Sequence, residues 1–277
     1  MVILVTGATG NVGRNVLAQL LDAGETVRVT SRNPAGAEFP SGVEVVRADL
    51  TEPATLPAAL NGVDRAFLFP TPGHAGGFLD AATAAGLERV VLLSAAAVSD
   101  QDGGALGDRH AAVEQAVTAS GLAWTFLRPG PFMVNDLRWA PAIRATGVVR
   151  APYGRAVSAP IDERDIAAVA VHALLEDGHE GRAYELTGGE PLSTQERVRI
   201  LGDVLGRELT FQEQPTEEAR QELLDSHVPV EVANAVLALF AAMVDATPEL
   251  SPWVREVTGR APLGYADWAA NRAADFR

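Results

Sequence analysis

The first residues of the chain combine an apolar strand, a glycine-rich turn and a helix, and this order constrains the fold most. Residues 2–5 are all apolar, which is typical of a parallel strand with both faces buried. Glycines follow at 7, 10 and 13, and apolar residues then recur at helical spacing up to Gly24. A helix N-terminus after such a loop binds anions, because its first amides lack intrahelical partners and its dipole is positive there. The pattern predicts a dinucleotide pyrophosphate site, with a plain structural turn as the alternative, at Gly7, Thr9, Gly10, Asn11, Val12 and Gly13.

The composition is that of a globular protein and excludes several kinds of chemistry. The 277 residues are 47% hydrophobic and 21% charged, and a chain of this length can bury one large core, either as a single domain or as a domain with an attached cap. The chain has no cysteine and no lysine, so disulfides, thiolate nucleophiles and lysine Schiff bases are excluded. A net charge of −14 without a basic run argues against nucleic-acid binding. The five histidines show no metal-ligand spacing, and no metal is expected.

No apolar run reaches the length that crosses a bilayer, and no basic segment precedes the first apolar stretch. We therefore expect a cytoplasmic protein that acts on a small molecule, without membrane contact. The sequence leaves the oligomeric state open, a homodimer included.

Short apolar strands alternate regularly with helical segments in the first half of the chain. Strands are predicted at 26–30, 43–46, 65–69, 90–93 and 124–127, after the one at 2–5. Helices at 54–60, 78–85 and 108–120 separate them, and this alternation predicts an α/β fold with a doubly wound, Rossmann-type parallel sheet. We expect a nucleotide-binding domain at 1–150 and a smaller, mostly helical substrate region at 151–277, with 161–188 returning to the sheet. Ser193 and Glu196 form a capping box ahead of another helix.

The end of the second strand distinguishes the two nicotinamide cofactors. An acidic residue there would bind the adenosine ribose hydroxyls, but Ser31 and Arg32 occupy this position. A guanidinium suits a 2′-phosphate, so the sequence favours NADP, with NAD as the other option and a solvated arginine as the structural alternative.

Other strand ends supply further candidates for the cofactor site. Asp49 and Leu50 follow the third strand, where they would border the adenine, although Asp49 also suits a helix cap. Pro70 and Thr71 follow the fourth strand on the same edge of the sheet.

Five segments together resemble the NmrA-like group of atypical short-chain dehydrogenases/reductases. They are GATGNVG at 7–13, SRNP at 31–34, ASGLAWTFLRP at 119–129, DERDIA at 162–167 and LTG at 186–188. The resemblance covers essentially the whole chain. It implies a Rossmann-type domain that binds NADP or NAD and a smaller C-terminal substrate region. The group includes quinone reductases, polyketide-tailoring enzymes and redox-sensing regulators without turnover, so the resemblance leaves turnover open.

The chain departs from the wider superfamily at the usual Tyr-x-x-x-Lys pair. By spacing, Leu106 takes the tyrosine position and His110 the lysine position. His110 is therefore the candidate catalytic residue, because an imidazole titrates near neutral pH and can protonate a carbonyl oxygen or bind the ribose. A histidine that only lines the helix is the alternative.

The remaining candidates follow the fifth and sixth strands. Ser94 and Pro129 would lie beneath the nicotinamide, although simple strand termination also explains Ser94. An apolar cleft for a flat substrate is predicted, with core packing as the alternative, from Phe132, Met133, Trp139 and Tyr153.

These features predict an NADPH-dependent oxidoreductase for a small, flat, apolar carbonyl or quinone-type substrate, with polyketide tailoring among its roles. Reduction of a quinone demands less of a general acid than reduction of an unactivated ketone. An NAD(P)-binding redox sensor without turnover is the alternative, and a sugar-nucleotide epimerase or dehydratase is disfavoured by the missing pair.

Overall fold

The computed structural model describes residues 1–69, 73–99 and 104–277. Its strands are β1 (Val2–Val5), β2 (Thr26–Ser31), β3 (Glu44–Arg47), β4 (Arg65–Leu68), β5 (Arg89–Leu93), β6 (Ala123–Pro129), β7 (Val148–Ala151), β8 (Val157–Ser158), β9 (Arg182–Leu186), β10 (Leu192–Ser193) and β11 (Thr210–Glu213).

Helices alternate with these strands and then dominate the C-terminal region. They are α1 (Gly13–Asp22), α2 (Leu56–Leu60), α3 (Ala75–Ala85), α4 (Gly104–Ala119), α5 (Ala140–Thr146), α6 (Glu163–Leu175), α7 (Thr194–Leu205), α8 (Thr216–Asp225), α9 (Val230–Ala242), α10 (Trp253–Thr258) and α11 (Tyr265–Asn271).

The central sheet has seven parallel strands in the order β3-β2-β1-β4-β5-β6-β9. The chain moves outward from β1 to β3 and then crosses back to β4 on the other side of β1. This reversal leaves a crevice at the carboxyl ends of β1 and β4, which is where ligands bind in open α/β sheets. The predicted α/β fold with a doubly wound, Rossmann-type parallel sheet is confirmed.

Two apolar cores cover the two faces of the sheet. Ile3 and Val5 point into one core with helices α1 and α6, while Leu4 points into the other with α2, α3 and α4. The alternation follows from the strand geometry, in which successive side chains face opposite sides. Because both faces are covered, functional groups collect at the ends of the strands.

A third core lies in the C-terminal region, where it includes Trp139, Tyr265 and Trp268. Two small sheets support it, namely the parallel pair β7 and β11 and the antiparallel pair β8 and β10. None of these four strands is predicted from the sequence. The predicted capping box of Ser193 and Glu196 at the start of α7 is confirmed.

Ion pairs join the C-terminal segment to helix α6. Asp165 accepts hydrogen bonds from Arg260 and from the Leu263 amide, and Glu163 accepts one from Arg272 at 2.9 Å. The acids of this first turn therefore hold the tail in addition to complementing the helix dipole. Strand β9, which follows α6, pairs with β6 in the main sheet. The domain boundary at residue 150 remains a prediction.

Across the described residues, no helix combines the length and the apolar character needed to cross a bilayer.

Candidate cofactor and active site

In the glycine loop between β1 and α1, the backbone at Gly7 packs closely against Gly13, the first residue of α1. A side chain at Gly13 would place its Cβ 2.2 Å from the Gly7 carbonyl oxygen, so only glycine fits there. Gly7 has a φ of +64°, and the Gly10 amide donates a hydrogen bond to its carbonyl at 2.9 Å. The glycines thus shape a tight turn with the backbone exposed to a ligand.

At the N-terminus of α1, the amides of residues 11–13 donate no hydrogen bond to the described residues, whereas those of Arg14 and Asn15 bond to backbone carbonyls. No side chain of the described residues caps the helix at Val12, and its first turn holds no acid. Arg14 adds a positive charge beside the loop, where its Nε donates to the Gly10 carbonyl at 3.2 Å. Unpaired amides, a helix dipole and a guanidinium fit a pyrophosphate. Arg14 is missed from the sequence, where it reads as an exposed helical residue.

Arg32 follows directly on β2 and extends the positive charge of the cleft. Among the described residues, no carboxylate forms an ion pair with it, although Asp49 lies close enough to feel its charge. Asp49 accepts a hydrogen bond from the Thr51 amide at 2.9 Å, which lowers the pKa of its carboxyl, with the Thr51 hydroxyl and Arg32 contributing. Arg32 is therefore free to bind a phosphate.

These strand ends enclose one cleft of about 580 Å³. It brings together seven predicted cofactor residues, namely Gly7, Thr9, Gly10, Ser31, Arg32, Asp49 and Leu50. Phe69 also lines it, with 45% of its surface exposed, and was missed because it ends an ordinary apolar strand. Pro70 and Thr71 lie outside the described residues.

A buried polar network stands at the carboxyl end of β5. The Ser94 hydroxyl donates to Glu114 Oε1 at 2.6 Å, and Arg128 donates to both carboxylate oxygens at 2.9 and 2.6 Å. These bonds to Glu114 raise the pKa of the Arg128 guanidinium. Glu114 is 5% exposed and was missed, because a single acid in a helix gives no signal until its partners are known. The network fixes the predicted nicotinamide-side residue Ser94.

His110 lies one helical turn before Glu114 on α4. Burial lowers the pKa of its imidazole, while the Glu114 carboxylate acts in the opposite direction. The ring is therefore neutral at neutral pH, when it can donate a hydrogen bond through one nitrogen. No hydrogen bond joins it to the described residues, so its catalytic role stays a prediction.

The four predicted substrate residues are distributed through the C-terminal side. Met133 is fully buried in the third core, and Phe132 packs partly buried beside it. Trp139 is largely buried and lines a second pocket. The Tyr153 hydroxyl accepts a hydrogen bond from the Thr216 hydroxyl at 3.2 Å. Pro129 is buried where it ends β6. Of these four residues, Trp139 lines that second pocket, and none lines the cofactor cleft.

A family model described as NAD(P)H-binding matches residues 7–177. The chain belongs to this NAD(P)H-binding family. The matched range includes the glycine loop, Arg32, Glu114 and His110. The predicted NmrA-like resemblance and NAD(P)H cofactor are confirmed, and the reductase relatives described next confirm the oxidoreductase class.

Two named relatives of this NAD(P)H-binding protein and one solved structure are reductases. It is 45% identical to (4-alkanoyl-5-oxo-2,5-dihydrofuran-3-yl)methyl phosphate reductase of Streptomyces griseus, with 99% of each chain covered. It is 36% identical to NAD(P)H azoreductase of Xenophilus azovorans, again with 99% of each covered. The structure of the Escherichia coli NADPH-dependent quinone oxidoreductase complexed with NADPH superposes with a TM-score of 0.84 at 26% identity, covering 98% of this chain and 99% of that one.

Proposed function

We propose that this protein is an NADPH-dependent reductase of a small, electron-poor, conjugated acceptor, such as a quinone or a conjugated carbonyl compound. Reduction of such an acceptor yields a delocalised anion, which needs little help from a protein acid. The acceptor takes up a hydride equivalent and one proton, and NADPH becomes NADP⁺. Solvent, or the His110 side chain in its protonated imidazolium form, supplies the proton.

The observation that carries this proposal is the position of the three tyrosines. Tyr184 bonds to His179 at 2.8 Å, Tyr265 donates to buried Asp136 at 2.7 Å, and Tyr153 bonds to Thr216. All three phenols are thus engaged away from the start of α4, and the chain has no lysine to lower a phenol pKa. An unactivated ketone therefore lacks its usual proton donor here.

The named relatives support the same class of acceptor. A dihydrofuranone that bears a carbonyl, an azo compound and a quinone are all conjugated and electron-poor. Bound NADPH would supply the hydride. The chain's own residues would then hold the cofactor phosphates at the α1 N-terminus, and the Glu114 network would keep the nicotinamide end in place.

Arg32 supports a preference for NADPH over NADH. Its guanidinium has no carboxylate partner among the described residues and lies in the cleft beside Ser31. A 2′-phosphate there would form charge-assisted hydrogen bonds that a ribose hydroxyl cannot match.

A panel of acceptors tests the proposed function. Oxidation of NADPH is followed by absorbance with naphthoquinone, an azo dye, a conjugated lactone and acetophenone, each corrected for its rate without protein. We expect the quinone to react fastest and acetophenone at least about a hundredfold more slowly. Equal rates on acetophenone and the quinone, or tight NADPH binding without oxidation by any acceptor, would contradict the proposal.

The role of His110 is tested within the same assay. If His110 donates the proton, His110→Ala lowers kcat by about a hundredfold and removes an ionisation below pH ~6.5 from the rate profile. If it only binds the ribose, the substitution raises the KM for NADPH and leaves kcat unchanged. An unchanged kcat/KM would show that solvent alone supplies the proton.

A further inference from the structure

A second pocket, of about 250 Å³, lies in the C-terminal region. Arg138 and Trp139 form one wall, Arg150 on β7 another, and the face of α9 that includes Leu237 and Phe240 a third. It shares no lining residue with the cofactor cleft in the part of the chain that the structure describes. The pocket is therefore distinct from the part of the cleft that the glycine loop and Arg32 line.

Arg138 faces this pocket without a partner. Within the described residues, neither a carboxylate nor a carbonyl accepts a hydrogen bond from its guanidinium, which lies 5.5 Å from the centre of the Trp139 ring. The side chain is exposed to solvent, and the partial desolvation that the surrounding protein causes lowers the pKa of Arg138, although the guanidinium stays charged. Solvent reaches it through the pocket. Its five N–H donors are thus available to a ligand.

The nearby acids are already engaged. Asp136, the closest in sequence, accepts hydrogen bonds from Arg197 at 2.8 and 2.7 Å and from Tyr265 at 2.7 Å. Glu222 accepts one from the Gln214 amide, also at 2.7 Å. These carboxylates attract Arg138 through space but leave its hydrogen-bonding capacity unused.

Arg150 adds a second positive charge to the pocket. It forms an exposed ion pair with Glu218 at 2.7 Å, and such pairs exchange readily because they contribute little stability. In the described part of the chain, two guanidiniums and one carboxylate, Glu222, line the cavity, and this excess of positive charge stands out in a chain with a net charge of −14. This charge pattern suits an anion.

The α9 wall makes the pocket amphipathic. Its apolar side chains face the guanidiniums across the cavity, so a ligand with both an anionic group and an apolar portion would satisfy both sides. The same helix contacts α4, where Glu231 pairs with Arg109 at 3.0 Å and Ala235 approaches Gly104. Helix α9 therefore links this pocket to the element that carries His110.

We propose that Arg138 binds the phosphate or a similar anionic group of the reducible substrate, with the α9 face against its apolar chain. This inference rests on the proposed function, because it assigns a group that the acceptor carries. It is consistent with the Streptomyces griseus relative, whose named substrate bears a phosphate and an alkanoyl chain. The acceptor is thus an organic anion, and its conjugated ring would extend from the pocket toward α4, which α9 contacts.

Binding of hexyl phosphate tests the site without any turnover. Calorimetry on the full chain with NADP⁺ present is expected to show binding that weakens about tenfold to hundredfold in Arg138→Gln, because charge-assisted hydrogen bonds are lost. Arg138→Lys keeps the charge and should recover part of the affinity. Arg199→Gln is the matched control, since Arg199 is exposed, pairs with Asp203 and lies outside this pocket. Equal affinity in Arg138→Gln and the wild type would overturn the site.

Two matched quinones then test whether the site serves the substrate. Arg138→Gln should raise the KM for naphthoquinone sulfonate about tenfold or more and leave the KM for uncharged naphthoquinone within about twofold. Equal effects on both quinones would overturn the substrate assignment. If neither quinone is reduced although hexyl phosphate binding depends on Arg138, the proposed function fails and the anion site stands.

Thermal unfolding separates ligand binding from structural support. Because Arg138 is exposed and donates no hydrogen bond to the described residues, Arg138→Gln should leave the Tm of the ligand-free protein nearly unchanged. Hexyl phosphate should raise the Tm of the wild type and not that of the variant. A lower Tm in ligand-free Arg138→Gln would contradict the assignment of Arg138 to ligand binding.

Discussion

The cofactor cleft and the C-terminal pocket bind anions by different structural means. The cleft uses backbone amides at the start of α1 and the turns that follow β1, β2 and β3, so its main features are local in sequence. The pocket uses side chains from several separate elements, among them Arg138 and Arg150, which lie far from α9 along the chain. Backbone sites recognise a group common to all nucleotides, whereas side-chain sites set which substrate is accepted.

The largest effect is expected from a substitution in the glycine loop, which tests whether the backbone of the cleft binds the cofactor. Gly13→Ala should weaken NADPH binding by about a hundredfold, because the new Cβ meets the Gly7 carbonyl and displaces the loop from the pyrophosphate. Fluorescence titration of NADPH measures the change. Gly76→Ala, at a helical glycine with open space around it, is the control and should leave the affinity unchanged. Similar affinities in all three proteins would show that the loop does not bind the cofactor.

The next largest effect is expected at the network beside the nicotinamide end. Glu114→Gln should lower the free energy of unfolding by about 2 kcal/mol, because it leaves Arg128 without its charged partner. Urea unfolding measures this difference. Asp203→Asn removes the exposed pair with Arg199 and should cost less than about 0.5 kcal/mol. Equal losses in the two variants would mean that the Glu114 network adds nothing beyond a surface ion pair.

Arg32→Gln should change only the preference of the cleft for NADPH over NADH. We expect the ratio of the Kd for NADH to that for NADPH to fall about tenfold, because the substitution removes a charge-assisted bond to the 2′-phosphate. The Kd for NADH itself should stay within about twofold. A wild type that binds both cofactors equally well would refute this role for Arg32.

The smallest expected effect is a pH dependence of stability. Burial lowers the pKa of His110 in the folded state, so the unfolded chain binds the proton more tightly. Stability should therefore fall as the pH drops below about 6.5 and through the lowered pKa. His110→Asn should flatten this part of the curve, whereas His227→Asn, at an exposed histidine, should not. A steeper fall in His110→Asn would reverse the sign of this argument.

Much of the nucleotide-binding half can be predicted because its signals are local. The apolar run at 2–5, the glycines and the helical spacing all lie within one short stretch, and each constrains the backbone directly. Arg32 is predictable for the same reason, since its position depends only on where β2 ends. The role of Asp49 cannot be predicted in this way, because its hydrogen bond with Thr51 is equally compatible with a structural turn and with a position beside the adenine of the cofactor.

The C-terminal pocket is hidden from sequence reasoning because its properties depend on pairing between distant segments. Strand β7 has only four residues, and its pairing partner β11 is far from it along the chain. Arg138 has an acid two positions before it, and only the structure shows that Arg197 and Tyr265 already engage Asp136. Glu114 is missed likewise, since Ser94 and Arg128 come from different strands.

The central claim is that Arg32 and Arg138 serve different reactants, and steady-state kinetics with NADPH and naphthoquinone sulfonate tests it most directly. Arg32→Gln should raise the KM for NADPH about tenfold and leave that for the quinone unchanged. Arg138→Gln should raise the KM for naphthoquinone sulfonate about tenfold and leave the KM for NADPH unchanged. If either substitution raises both constants equally, or if Arg138→Gln leaves the KM for naphthoquinone sulfonate unchanged, the account of two separate anion sites is contradicted.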